Sequence, residues 1–319
     1  MTSTKIEWAD ATINPIVGCS KCSPGCDNCY AERGAARMAK HLNAKISGKY
    51  SQVVNASGKW NGRTATAFEG WESSDHLHDW MLAALPRKPS RIFVGSMGDV
   101  FHETVEQEWL EAIWEVMRQS PQHTFMLLTK REKKLYEYAH LLQPRPQPLP
   151  NVWLGVTVCN QEEANAKIPV LLNIPAAKRF ISIEPMLGPV DLYKIPAALH
   201  IIPGAVVHWV ICGGETGPNA RPMHPGWVRS LRDHCAAFNG PFFFKGWGEW
   251  EPREWRRDGA THAVREDDGI LHRFAHSPTS QDRAETASEG WHALARVGKS
   301  RSGRLLDGIE YNEFPEEVC

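Results

Sequence analysis

Gly18-Cys19-Ser20-Lys21-Cys22-Ser23-Pro24-Gly25-Cys26-Asp27-Asn28-Cys29-Tyr30 places four of the eight cysteines of this chain in one short loop. The order is C-x2-C-x3-C-x2-C. Thiolates this close can all face one metal centre, because Gly18, Pro24 and Gly25 let the backbone fold tightly around it. A structural zinc site usually joins two C-x2-C knuckles from separated turns. Here the knuckles nearly touch, and short consecutive spacings are more typical of iron–sulfur loops. Zinc remains the second reading, and two disulfides the third.

The rest of the chain reads as a scaffold for this loop. Its 319 residues suit one large domain or two small ones, and an α/β barrel takes this much chain. Apolar residues make up 42%, enough for a sizeable core. A formal net charge of -1 gives no global pull towards nucleic acid or membrane. The opening Met1-Thr2-Ser3-Thr4-Lys5-Ile6-Glu7-Trp8 has no long apolar run. No signal peptide and no membrane span are therefore expected, and a cytoplasmic setting would keep the thiols reduced. Cys159, Cys212 and Cys235 lie in apolar surroundings and read as core residues.

Compact apolar runs recur along the chain. Residues 8–18 form a short first strand that delivers the cysteine loop. Residues 91–96, 124–129, 152–158, 179–183, 208–212 and 241–244 follow as strands. Continuous apolar runs suit strands buried on both faces, as in a parallel sheet. Helical spacing lies between them, over residues 30–42, 75–85, 104–119, 131–142, 161–173 and 225–238. Thr104 is expected to cap the third of these helices, with Gln107 three residues on. Strand–helix alternation over this many units predicts a partial or distorted parallel (β/α) barrel over residues 1–250. Residues 43–74, polar and Gly-rich, are expected to be a surface excursion. Residues 251–319 form a C-terminal extension packed on or capping the barrel, with 258–289 polar and partly mobile.

In a parallel barrel the active site gathers at the carboxyl ends of the strands. Those ends carry Ser96 and Asp99-Val100-Phe101-His102, Lys130-Arg131, Thr157, Glu184-Pro185, Gly213-Gly214-Glu215 and Lys245. Each is weak alone, since a charged residue after a strand is often a cap. Together with the cysteine loop they mark a candidate site. Trp247, Trp250 and Trp255, beside Arg253, Arg256 and Arg257, would offer stacking faces and phosphate contacts to a nucleic acid. Packing in the core or a lid is the competing role for these tryptophans.

Two resemblances add to this reading. Cys22, Cys26 and Cys29, spaced C-x3-C-x2-C and followed by Tyr30, resemble the motif of radical S-adenosylmethionine (SAM) enzymes. Over nearly the whole chain, NPIVGCSKCSPGCDNCYAER, VGSMGDVFHE, MLLTKR, NVWLGVTVCNQ, FISIEPMLGPVDL, HWVICGGETGPNARPMHPGWVRSLRD, PFFFKGWGEW and GRLLDG resemble a widespread phage and bacterial family. Its members are poorly characterised and carry a three-cysteine motif. That family is in turn similar to the spore photoproduct lyase branch of the radical SAM superfamily.

The resemblance implies a 4Fe-4S cluster held by three thiolates, with one iron open to SAM. It implies reductive cleavage of SAM and hydrogen abstraction from a substrate, with a nucleobase or a hypermodified thymine in phage or bacterial DNA as the candidate. Lys130 and Thr157 would meet the SAM carboxylate, and Asp99 the ribose hydroxyls or the amine. Tyr30 and Ser96 are placed with these cofactor-binding residues. Glu184, Glu215 and Lys245 are the candidate catalytic residues on the substrate side, with a structural cap as the alternative for Glu215. A reductant such as flavodoxin or ferredoxin is the implied partner. Members of the nearer family carry only Cys19, Cys26 and Cys29, and we favour these as ligands, with Cys22 as the alternative. The rivals from other classes are a zinc-stabilised nucleic-acid-binding module and an iron–sulfur redox or sensor protein without SAM chemistry.

Overall fold

The computed structural model describes residues 4–66, 74–141, 148–195, 206–253, 262–273 and 290–316. The fold is mixed α/β, built on a seven-stranded sheet in the order β1-β4-β5-β6-β7-β8-β9. These strands are Ala11–Ile13, Arg91–Val94, Thr124–Thr129, Val152–Thr157, Lys178–Ile183, Trp209–Gly213 and Phe242–Gly246. Every pairing whose register is described in this sheet is parallel. The strands succeed one another in chain order without a reversal. A singly wound parallel sheet of this kind has the topology of a partial (β/α) barrel rather than of a doubly wound sheet. The expected strands after the first are all present, displaced by no more than two residues at their ends.

The chain divides into two units. The first comprises Met1–Val156 and Asn173–Arg179. Its first expected strand is broken by Pro15 into β1 and β2 (Ile16–Val17), because proline cannot donate to a ladder. Helix α1 (Tyr30–Met38) follows the cysteine loop, then α2 (Ala44–Ser51) and β3 (Ala65–Thr66), which pairs antiparallel with β2. The stretch 43–66 is therefore more than a surface excursion. Tyr50 and Val53 bury against Val17 and Ala35, with Ile46 and Trp60 packed around them. Glu32 on α1 anchors it, accepting from Lys59 Nζ at 3.1 Å and Trp60 N–H at 3.0 Å. Residues 67–73 of the expected excursion lie outside the described residues.

Helices α3 (Ser74–Ala84), α4 (Gln107–Gln119) and α5 (Glu132–Leu141) complete this unit. In α4, Leu110, Ile113, Val116 and Met117 are buried at helical spacing. Thr104 is not its cap: the helix starts later, behind Glu106. The Thr104 hydroxyl instead lies 2.9 Å from His102 Nδ1 and 2.7 Å from the Thr64 hydroxyl. These contacts draw Thr104 into the loop after β4.

The second unit comprises Thr157–Leu172 and Phe180–Cys319. It contains α6 (Gln161–Leu172) and α7 (Pro225–Ala237). Phe180, Trp209, Phe242, Phe243 and Phe244 are buried in it, as are Val228 and Leu231 of α7, and the Trp209 ring packs against those of Phe180 and Phe243. Cys159, Cys212 and Cys235 are buried there, as expected of core thiols.

The C-terminal part is more regular than its composition suggests. β10 (Trp250–Pro252), β11 (His262–Arg265), β12 (Leu271–Arg273) and β13 (Trp291–Arg296) form a sheet in the order β10-β13-β11-β12, antiparallel throughout. A hairpin of β14 (Leu305–Leu306) and β15 (Ile309–Glu310) follows. Of the expected polar segment 258–289, residues 258–261 and 274–289 lie outside the described residues.

Two histidines in this unit set an acid limit. His224 caps α7, its Nδ1 accepting the Gly226 N–H at 3.0 Å, so the ring must stay neutral to serve. Its ring lies 5.6 Å from that of His292. Burial first, then His292 and Arg229, bring His224 down to about 4 from the ordinary 6.5. Burial and Arg229 do the same for His292. The unfolded chain takes up these protons near pH 6.5, the folded chain only near 4. Stability present above 6.5 is therefore lost as the pH falls towards 4. Urea midpoints should drop over this window, and His224→Asn, which keeps an acceptor for Gly226, should flatten the decline.

Candidate metal and cofactor site

Two glycines bring the cysteine loop to the end of β4. Gly18 N–H donates to Met97 O at 3.2 Å, and Gly18 bridges Gly98 in parallel. A Cβ on Gly98 would come within 2.9 Å of Gly18 O and 3.0 Å of Ile16 O. Gly18 itself has φ +94°, and a Cβ there would reach 2.3 Å from Arg63 O. Gly98→Ala should therefore destabilise the chain by about 1–3 kcal/mol and loosen the loop. Urea unfolding, with limited proteolysis between Gly18 and Tyr30, checks both effects.

The loop then organises itself. Ser23 Oγ accepts from Gly25 N–H at 3.1 Å, and Cys26 N–H donates to Ser23 O at 2.9 Å. Cys29 stands at the N-terminus of α1, and Arg33 Nη1 donates back to Asn28 O at 2.8 Å. Cys26 is buried, Cys19 and Cys29 are half-buried, and Cys22 is exposed. Tyr30, half exposed, donates its hydroxyl to Ser96 O at 2.9 Å. Ser96 Oγ donates to Asn14 Oδ1 at 3.1 Å. Tyr30 and Ser96 thus tie α1 to the end of β4.

Arg131, just past β5, joins these pieces. Its Nε donates to Glu103 at 3.0 Å, Nη1 to Asp99 Oδ2 at 3.2 Å and to Cys19 Sγ at 3.4 Å. Its Nη2 donates to Ser20 O at 3.0 Å and to Ser20 Oγ at 2.8 Å. A planar guanidinium can reach four residues at once in this way, which an ammonium cannot. Asp99 is buried and holds Arg131 in place. It also accepts from Thr129 Oγ1 at 2.8 Å and from Phe101 N–H at 3.0 Å. Its oxygens are therefore engaged within the protein. His102 Nδ1 accepts the Thr104 N–H, which leaves Nε2–H to donate to Ser20 Oγ at 2.9 Å. Burial, then Arg131, keeps this imidazole below its ordinary value, hence neutral.

Charge at the thiols is shaped by these neighbours. A hydrogen bond from Cys22 brings Cys26 down to about 5, against the pull of burial, while Cys22 is pushed up by the same bond. Burial, then Asp99, pushes Cys19 up to about 12 although Arg131 opposes it. Lys130 is the remaining cation. Burial works against its charge, but Cys26, Cys29 and Asp99 outweigh that and hold it protonated. Among the described residues nothing gives Lys130 Nζ a hydrogen bond or an ion pair.

Among the described residues no group of three or more His, Cys, Asp or Glu is already arranged as a metal cage. The donor set nevertheless fits an iron–sulfur cluster. Soft thiols sit in one loop, backed by a guanidinium and an uncommitted ammonium that would balance an anionic cluster.

The second unit carries its own strand-end groups. Thr157 is buried at the end of β6, its carbonyl accepting from Lys167 Nζ at 3.3 Å. Glu184 and Lys245 form a close, half-buried ion pair beside Gly213. Glu215 is buried and held by Arg221, through N–H at 2.7 Å, Nε at 2.9 Å and Nη2 at 2.6 Å. That arrangement fixes a loop, the alternative the sequence leaves open for Glu215, and leaves little of the carboxylate for a substrate. Trp247 and Trp250 are buried, their indole N–H groups spent on Leu305 O and Ala220 O. Both rings take the competing role, packing in the core. Trp255, Arg256 and Arg257 lie outside the described residues.

The family model of DUF5131, a protein family of unknown function, matches residues 3–315. The chain belongs to the DUF5131 family. No curated protein and no solved structure matches it. Within this DUF5131 chain the site combines residues of two kinds. The cysteines, Lys130 and Asp99 are visible in the sequence by type and position. Arg131 and His102 were visible only as polar strand ends. Asn14 and Ser20 gave no signal, because a lone Asn or Ser in a loop is uninformative.

Proposed function

We propose that this chain is a radical SAM enzyme. The observation that carries the reading is the four-cysteine loop held at the end of β4 and bound by Arg131, with Lys130 beside Arg131 at the end of β5 as an ammonium that no hydrogen bond or ion pair engages among the described residues. Such a cation suits a carboxylate bound beside a thiolate-held cluster. Cys19, Cys26 and Cys29 would hold the 4Fe-4S cluster, with Cys22 as the alternative ligand. Lys130 would receive the SAM carboxylate. The cluster, when bound, supplies the electron that cleaves SAM to a 5′-deoxyadenosyl radical able to take hydrogen from carbon.

The chain's own residues do the positioning. Arg131 restrains Cys19 and Ser20, and Asp99 restrains Arg131. Tyr30 holds the start of α1 against β4. The Glu184–Lys245 pair supplies an acid and a base at the strand ends of the second unit. An external one-electron donor, a flavodoxin or ferredoxin, completes the system.

The test is anaerobic reconstitution with iron and sulfide, followed by dithionite and SAM. Release of 5′-deoxyadenosine is the expected result. Stoichiometric zinc with no iron, or a loaded cluster that leaves SAM intact, would overturn the proposal. Lys130→Ala should retain the iron and weaken SAM binding by about tenfold or more, the scale of one charge-assisted contact.

A further inference from the structure

Charge is very unevenly distributed along this chain. Residues 21–64 contain eight Lys or Arg against two Asp or Glu, a net of +6 in a chain whose total is -1. The remainder therefore carries -7. This basic stretch begins inside the cysteine loop and runs through α1 and α2.

Several of its cations meet no carboxylate among the described residues, although Arg33 donates to Asn28 O at 2.8 Å and Lys21 to Asp27 O at 3.2 Å. Lys21, Arg37, Lys40, Lys45, Lys59 and Arg63 are exposed. Lys59 is paired with Glu32. Among the described residues no carboxylate pairs with Arg37, Lys40, Lys45, Lys49 or Arg63. Arg33 and Arg37 are spaced i, i+4 on α1, and Lys40 continues the series one turn on. Lys45 and Lys49 repeat the i, i+4 spacing on α2. On a helix this spacing aligns side chains along one face at about 6 Å intervals.

The apolar side of α1 is already used. Ala35 packs with Val17, Tyr50 and Val53 inside the first unit, and Ala31 is buried too. An interfacial membrane helix needs a free apolar face opposite its cations. Here the outer face is cationic and the inner face is core. Next to it, the half-exposed Tyr30 ring stands directly after Cys29. Exposed cations such as Arg37, Lys40 and Lys45, which meet no carboxylate among the described residues, beside an exposed aromatic ring suit a phosphodiester backbone with a stackable base.

We propose that the α1–α2 face is a nucleic-acid-binding surface that leads a strand to the cysteine loop. It deepens the radical SAM reading by naming the substrate class, and it moves the nucleic-acid contact from the C-terminal tryptophans to the first unit. The binding claim itself rests on charge and exposure, so it can be tested apart from the chemistry.

The experiment is fluorescence anisotropy of the full chain, as purified and after anaerobic iron loading. The probes are labelled oligonucleotides of one length: single-stranded DNA, single-stranded RNA and duplex DNA. The triple variant Arg37→Glu/Lys40→Glu/Lys45→Glu alters exposed side chains with no ion pair to lose. Its Kd should rise about tenfold or more, and the slope of log K against log salt should shrink by about 2. Arg87→Glu/Lys88→Glu, also exposed on the first unit, should leave both unchanged. Unchanged melting temperatures confirm that the variants fold, and the three probes distinguish the kinds of strand.

No binding of any probe at about 50 mM salt would overturn the proposal. Equal weakening by both variants would do the same. So would binding to phosphatidylserine vesicles in place of the oligonucleotides. The 5′-deoxyadenosine assay needs no nucleic acid, so failure here and failure of the radical SAM reading are separate results.

Discussion

Cys26→Ala and Cys29→Ala should each leave the reconstituted protein colourless, with iron falling from about four per chain to near zero. SAM cleavage should stop with it. Both thiols belong to either candidate ligand set, and both sit where the backbone is fixed. Cys26 closes the turn held by Ser23, and Cys29 stands at the start of α1. The third ligand separates the two sets. With Cys19, Cys26 and Cys29 as ligands, Cys19→Ala behaves like the other two and Cys22→Ala keeps its iron. Loss of cluster in Cys22→Ala, with retention in Cys19→Ala, would assign the C-x3-C-x2-C spacing instead. Circular dichroism should stay native throughout, because Arg131 keeps Asp99, Glu103 and Ser20 when the Cys19 sulfur is removed.

Arg131→Met should have the largest effect on stability, about 3–5 kcal/mol in urea or thermal unfolding. Its side chain is 5% exposed and that of Asp99 8%, so removing the guanidinium leaves a buried carboxylate without its hydrogen-bonded counter-charge, with only the Lys130 ammonium acting on it through space. Thr129 Oγ1 and the Phe101 N–H would still donate to it, but neither carries charge. Arg131→Lys should fall between wild type and Met, since an ammonium cannot reach Glu103, Asp99, Cys19 and Ser20 together. Asp99→Asn/Arg131→Met should cost less than the two single changes added, because each removes the other's unpaired charge. A loss under about 1 kcal/mol for Arg131→Met would mean that the network is not what holds the loop.

The strands and helices were legible because their patterns are local. Val152–Thr157 and Phe242–Gly246 are apolar runs that no helix period explains, and α4 shows its buried face in sequence. Helix boundaries were less legible where a side chain had a distant use. Thr104 looks like a cap, but His102 and Thr64 claim its hydroxyl. Composition misled at the C-terminus. Polar, Gly-containing segments formed β10 to β13, since a small antiparallel sheet needs only one face of alternate residues such as Val264 and Leu294. Trp247 and Trp250 showed the same problem: residue type says that a ring is large and can donate, not whether it faces solvent.

The sequence by itself determined the alternating α/β architecture, the clustered thiols, and the polar groups at each strand end. Apolar period and cysteine spacing are properties of neighbours along the chain, and they survive without knowledge of the fold. Only the tertiary structure decided which polar groups are spent and which remain open. Asp99, Glu215 and Arg131 are committed to partners, while among the described residues Lys130, Arg37, Lys40 and Lys45 meet no carboxylate. That distinction depends on side chains brought together from positions as distant as Cys19 and Arg131, and a buried charge is stable only once such a partner has arrived.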